Sequence, residues 1–135
     1  MLEPLQAGPE TVLERAITDA QAGLIPSRNL AAALVGSEVV ILLVRDPGPQ
    51  PTSITPLTVT TPAGFSAVVM FTSAERAKDW SIQTQHPYVL QTRADWVLDV
   101  VGEGYGVVVN PGQPISFEMP PQGVAQMRSE QPKGN

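Results

Sequence analysis

His86 is the only histidine in the chain, and it stands between Gln85 and Pro87 in a polar stretch, with Ser81 and Ser73 as candidate nucleophiles and Asp79 as a candidate orienting carboxylate before it in sequence. A histidine acting as general base needs a nucleophile within hydrogen-bond reach and a carboxylate to orient its ring. These residue types define one reading, a small hydrolase or ligand-binding enzyme that uses His86 with nearby carboxylates. Nearness along the chain sets no geometry, and a solvated histidine in a polar connection is the commoner case. Asp95 and Asp99 lie at i and i+4, so a helix would present both carboxylates on one face, where they could hold a divalent cation or divide acid and base roles. Each has a sufficient local explanation: Asp95 as an acidic residue in a first helical turn, Asp99 as a solvated side chain. No metal site and no cofactor are assigned.

Gly102-Glu103-Gly104-Tyr105-Gly106 is rich enough in glycine to suggest a phosphate cradle. In dinucleotide and P-loop sites, however, the glycines follow a strand and open a helix, so that amides and helix dipole point at the phosphate. Here they follow a helical pattern and precede a strand-forming run, the order of a helix stop and a sharp turn. Asn110-Pro111-Gly112 fits a type II turn, with proline at i+1 and glycine at i+2, and a turn at a strand end is a place for recognition. Trp80 is expected at the end of a short helix beside the polar stretch, half covered, and tryptophan is enriched where proteins bind each other. The residues assigned to partner binding are therefore Trp80, His86, Tyr88, Asn110, Pro111 and Gly112.

Composition narrows the classes further. The 135 residues contain no cysteine, which removes disulfides, thiolate nucleophiles and cysteine-held zinc or iron–sulfur clusters. A net charge of -5, with the eight basic residues scattered, works against a nucleic-acid partner. The longest strongly apolar run, Val39 to Val44, is far short of the ~20 residues a bilayer span requires, so no membrane partner is expected. Met1 to Gly8 carries Glu3 and no apolar core of a secretory signal, and the cytoplasm is the expected compartment.

The elements that must position these residues follow from periodicity. A first helix begins around Pro9, carries Val12, Leu13, Ala16, Ile17 and Ala20 on one face and ends at Gly23. Ser27 is the expected cap of a second, whose stripe is Leu30, Ala31, Leu34 and Val35, with Gly36 just past its end. Val39 to Val44 reads as a central strand covered on both faces. Arg45 to Pro51 is a proline-rich loop, and Ile54 to Thr60 and Phe65 to Phe71 form a β-hairpin around Thr61-Pro62-Ala63-Gly64, with Pro56 at an edge or bulge. Thr72-Ser73-Ala74-Glu75 has the spacing of a capping box for a helix to about Trp80. After the polar stretch Ser81 to Tyr88, Thr92 caps a helix that turns Trp96, Val97, Val100 and Val101 to the core. Tyr105 to Val109 and Ile115 to Met119 are strands, and Pro120-Pro121 opens a last helix with Val124, Ala125 and Met127. Residues 1–128 then form one domain and 129–135 a polar tail.

The order of a strand ending in Phe71-Thr72-Ser73, then Ala74-Glu75-Arg76, a helix with Trp96, and Gly104-Tyr105-Gly106-Val107-Val108-Val109-Asn110-Pro111-Gly112 resembles the SseB N-terminal domain family from about Val39 to Met127. Two features depart from that family: the proline-rich stretch after the first strand, and the lack of residues for the second, C-terminal domain of longer relatives. The resemblance implies a fold and no established active site.

The sequence thus predicts a single α+β domain with a mixed, mainly antiparallel sheet of about five strands packed with helices. Its expected role is that of a non-enzymatic protein-interaction module with a protein partner and no cofactor, alone or as a homodimer through a sheet edge or an exposed helix face. Two other readings stand beside it: the His86 enzyme, and an accessory or immunity-type inhibitor of a basic protein, for which an acidic surface is suited.

Overall fold

The computed structural model describes residues 11–45, 54–101 and 104–130. Its elements are α1 (Val12–Gln21), α2 (Ser27–Val35), β1 (Glu38–Leu43), β2 (Thr58–Thr60), β3 (Ser66–Met70), α3 (Ala74–Thr84), β4 (Tyr88–Arg93), α4 (Ala94–Val101), β5 (Gly106–Val109), β6 (Phe117–Met119) and α5 (Pro121–Glu130).

Alternation along the strands dictates the layers. Val39, Ile41 and Leu43 of β1, Val68 and Met70 of β3, and Val107 and Val109 of β5 share one core with α1, α2, α4 and α5. The intervening residues Val40, Leu42 and Val69, together with Phe71 just past β3, pack on the other face against Ala77 of α3. Both faces of β1 and β3 are therefore covered, which is why these strands read as continuous apolar runs. Burying each such side chain is worth about 1.5–3 kcal/mol.

β3 and β5 are parallel, and the other pairings, β1–β4, β2–β3 and β5–β6, are antiparallel, giving the mixed, mainly antiparallel arrangement expected. Two sheets result, ordered β1-β4 and β2-β3-β5-β6. They meet at a seam where Val40 and Phe71 exchange both backbone hydrogen bonds at 2.8 Å and the Leu57 N–H donates to the Leu42 carbonyl at 2.9 Å. β1 is thus internal, as expected. A single close approach constrains β5: a Cβ on Gly106 would lie 2.4 Å from the Met119 carbonyl and 2.6 Å from the Phe65 ring.

Several local expectations differ from the structure. Pro9 lies outside the described residues, and the cap of α1 is Thr11, whose hydroxyl accepts from the Glu14 N–H at 3.0 Å. Ser27 is the first residue of α2 and Pro26 holds the cap position with no side-chain bond, while Gly36 caps its end in a right-handed conformation. Ser73, not Thr72, caps α3, because Phe71 is still engaged in the seam and the Thr72 hydroxyl is drawn into a buried polar cluster. α3 runs to Thr84, beyond the expected stop near Trp80, and ends on Gln85 with φ 59°.

The largest difference is β4. Tyr88 to Arg93, expected as the end of a polar connection and a helix cap, is a strand aligned with the whole of β1. α4 consequently begins at Ala94, and its most buried residues are Ala94, Val97 and Leu98, with Trp96, Val100 and Val101 half-buried. β2 and β6 are shorter than expected, Pro56 makes only an isolated bridge to Leu43, and Ala125 faces outward on α5. Ser129 continues α5, against the expectation of a tail, whereas residues 131–135 lie outside the described residues, as do 46–53 of the proline-rich loop and Gly102-Glu103.

Candidate protein-interaction surface

The residues singled out by their spacing fall into two groups at opposite ends of α3. At its N-terminal end, Thr72 and Arg76 meet Asn110 and Gln113 from the turn after β5, and Glu14 from α1. The Glu14 carboxylate receives Arg76 Nε at 2.8 Å and the Thr72 hydroxyl, with both charged side chains almost fully buried. Asn110 Oδ1 accepts the Thr72 N–H at 3.0 Å, and its Nδ2 donates to Thr72 Oγ1 at 3.0 Å and to the Ile115 carbonyl at 2.9 Å. Arg76 Nη1 donates to Gln113 Oε1 at 3.0 Å, and Gln113 Nε2 returns a bond to the Arg76 carbonyl at 3.0 Å.

This cluster ties three chain segments together. The Asn110-Pro111-Gly112-Gln113 turn is of the expected type, closed by the Gln113 N–H on the Asn110 carbonyl at 3.1 Å with Gly112 at φ 79°. Its exposure is not as expected. Asn110 is 0% exposed, at φ 51°, a conformation asparagine tolerates better than most residues, so its side chain is spent inside the protein. Pro111 is half-buried and Gly112 exposed.

The second group begins at Trp80, four residues beyond Arg76 along α3, about 6 Å at 1.5 Å per residue, and continues past the helix end at Thr84. Trp80 is half-buried, its ring tilted against Phe71 with centroids 6.2 Å apart. The His86 ring takes its Nδ1 contact from Thr84, at 2.8 Å from the carbonyl and 3.1 Å from the hydroxyl. The Ser81 hydroxyl donates to the His86 backbone carbonyl at 2.7 Å and not to the ring, and Ser73 is occupied capping α3. The serine–histidine pair of a hydrolase is therefore not formed by these residues. The i, i+4 carboxylates do not converge on a cation either: Asp95 holds Arg93 at 2.9 Å, and among the described residues no group of three His, Asp or Glu side chains could hold a metal ion. Arg93 beside it and the backbone amides of the first helical turn keep the Asp95 carboxyl below the usual carboxylate range.

β4 continues from this second group. In an antiparallel ladder, hydrogen-bonded and non-bonded pairs alternate. The Ala94 N–H donates to the Ser37 carbonyl at 3.0 Å, one step beyond the Glu38–Arg93 pair, which assigns Tyr88, Leu90 and Thr92 as the residues bonded to β1. Val40 and Leu42, bonded to the opposite side of β1, fit the same alternation. The N–H groups of Val89, Gln91 and Arg93 and the C=O groups of Val89 and Gln91 consequently point to the outer edge of β4, where no strand pairs among the described residues, while the Arg93 carbonyl opens the first turn of α4. Around this edge the protein exposes apolar side chains: Val89 is 46% exposed, Tyr88 40%, and Val44, next to the partner of Tyr88, 55%.

Of the residues singled out from the sequence for partner binding, Tyr88 opens β4, Trp80 lies in α3 against Phe71 and His86 precedes the strand; Val89, Gln91 and Arg93 were not among them. The legible signal was the alternation of Val89, Gln91 and Arg93 with Leu90 and Thr92, of which only Leu90 packs on the main core.

A mixed sheet wrapped by helices, with a strand-to-helix corner stapled to a turn by a buried ion pair and an asparagine, defines the class. The chain belongs to the SseB protein N-terminal domain family, whose model matches residues 13–126. No curated protein and no solved structure matches it.

Proposed function

We propose that this domain is a non-enzymatic protein-interaction module that receives an extended segment of a partner along the outer edge of β4. The observation carrying this reading is the side of a six-residue strand left unpaired among the described residues, with outward amide and carbonyl groups at Val89 and Gln91 and an outward amide at Arg93. An edge of this length is a template for strand addition unless it is shielded, and main-chain bonds then supply affinity while alternate side chains supply specificity. Tyr88, Val89 and Val44 add apolar surface at one end of the edge. The buried ion pair and Asn110 hold the corner from which α3 runs toward this edge, a structural role.

The test uses a photo-crosslinking residue at position 89 in the native cell, with one at Arg15 on the exposed side of α1 as control, and the variant Gln91→Pro. The Gln91 N–H faces outward, so proline there removes a donor to a partner and none to β1. The expected result is a crosslinked protein at position 89, absent at 15 and lost in the folded Gln91→Pro variant. Equal crosslinking at 89 and 15, or crosslinking that survives Gln91→Pro, refutes docking on this edge.

A further inference from the structure

Resting on docking at the β4 edge, we propose that the segment it accepts is basic: a strand with lysine or arginine beside Gln91 and an apolar residue two positions away, beside Val89. The side chains of Val89, Gln91 and Arg93 lie on the same face as those of their cross-strand partners Leu42, Val40 and Glu38. A guest strand on this edge places alternate side chains on that face too. The face has an apolar end and a charged end.

At the charged end, Gln91 Nε2 donates to Glu38 Oε1 at 2.7 Å and so holds the Glu38 carboxylate toward the edge. Arg93 is paired with Asp95 at 2.9 Å and lies across the ladder from Glu38. Two carboxylates thus face one guanidinium, leaving a local excess of one negative charge on a chain whose net charge is -5. A guest strand lies about 4.8 Å from β4 and so about 9.6 Å from β1, a span that an extended lysine and the Glu38 side chain, held across β4 by Gln91, cover together. At the other end, Val89 and Val44 stand 46% and 55% exposed, an apolar complement for a β-branched or aromatic residue.

Beside Gln91 the ground is also open. Glu38 and Gln91 form part of the wall of a cleft of about 540 Å³ that Thr11, Val12, Ala33 and Thr72 help to line, and none of its lining residues is cationic. A second copy of this chain is the poorer occupant, since it would bring another charge of -5 to the same edge.

The experiment follows the backbone amides of the isotopically labelled protein by NMR, with a ten-residue peptide of alternating valine and threonine carrying two lysines. Its counterpart has glutamate at the two lysine positions. With the lysine peptide, the Val89, Gln91 and Arg93 amides should gain protection from hydrogen exchange, while Tyr88, Leu90 and Thr92, already bonded to β1, should change little. At low salt the lysine peptide should bind at least about tenfold more tightly than the glutamate peptide, and Glu38→Gln should reduce that ratio about threefold. Equal affinity for both peptides overturns the basic partner and leaves edge docking standing. Protection that rises with protein concentration in the absence of peptide makes the occupant a second copy and also overturns it. If neither peptide at millimolar concentration protects the three amides, the docking edge itself falls.

Discussion

Replacing Arg76 with methionine tests whether the buried ion pair is the staple of the corner. Arg76 and Glu14 have side-chain exposures of 3% and 2%, with 2.8 Å between Nε and Oε2. Methionine fills much of the same volume but takes the Arg76 guanidinium away from the buried Glu14 carboxylate and the Arg76 donor away from Gln113 Oε1. Removing one partner of a buried pair costs about 3–5 kcal/mol, because the remaining charge is uncompensated. With a urea dependence of about 1–3 kcal/mol per molar for a chain of this size, the unfolding midpoint should fall by roughly 2 M. The double variant Glu14→Leu/Arg76→Met removes the stranded charge along with its partner and should recover more than half of that loss, since apolar replacement of a buried pair is often neutral. The remaining deficit is the bond the Thr72 hydroxyl donated to Glu14 and the one Gln113 Oε1 accepted from Arg76, about 1 kcal/mol for each, while Thr72 Oγ1 still accepts from Asn110. A midpoint shift below about 0.5 M for Arg76→Met refutes the reasoning. So does a double variant less stable than either single one.

Three further outcomes are expected. Asn110→Ala strips the Thr72 N–H and the Ile115 carbonyl of their partners and puts alanine at φ 51°, which should cost about 3–6 kcal/mol in equilibrium unfolding; Asn110→Gly should be milder by about 1 kcal/mol because it accepts the backbone. Gly106→Ala should lose about 1–3 kcal/mol in the same assay, since its Cβ meets a backbone carbonyl that cannot step aside. The Asp95 carboxyl should titrate by NMR below the usual value near 3.9 and move up toward it in Arg93→Gln. Because its folded value is depressed, its small contribution to stability is present above the unfolded value and is lost as pH falls through the folded one.

Much of the architecture was legible in apolar periodicity. The continuous run Val39 to Val44 announced a strand covered on both faces, Phe65 to Phe71 a hairpin strand, and the turn residues around Gly64 and Gly112 the chain reversals. β4 was not legible in the same way: four of its residues are exposed and two half-buried, so Tyr88 read as the end of a polar connection and Thr92 as a helix cap. Its strand character comes from pairing with β1, a contact of residues some fifty positions apart. The corner failed for a related reason. Thr72 and Ser73 are equally good caps by type, and the choice is made by Glu14 and Asn110, 58 and 38 positions away. Asn110 looked like an exposed turn residue because nothing nearby reveals that Thr72 and Ile115 need its amide.

The seam between Val40 and Phe71 makes the ribbon of β1 and β4 almost a separate body, joined sideways to the larger sheet by one residue pair and the Leu57–Leu42 bond. What prevents it from swinging is the cargo on both flanks, with Ile41 locked among four helices and Leu42 beneath α3. Loosening α3 would therefore free the ribbon at its junction, and the amide of Phe71 would be an early reporter of that motion.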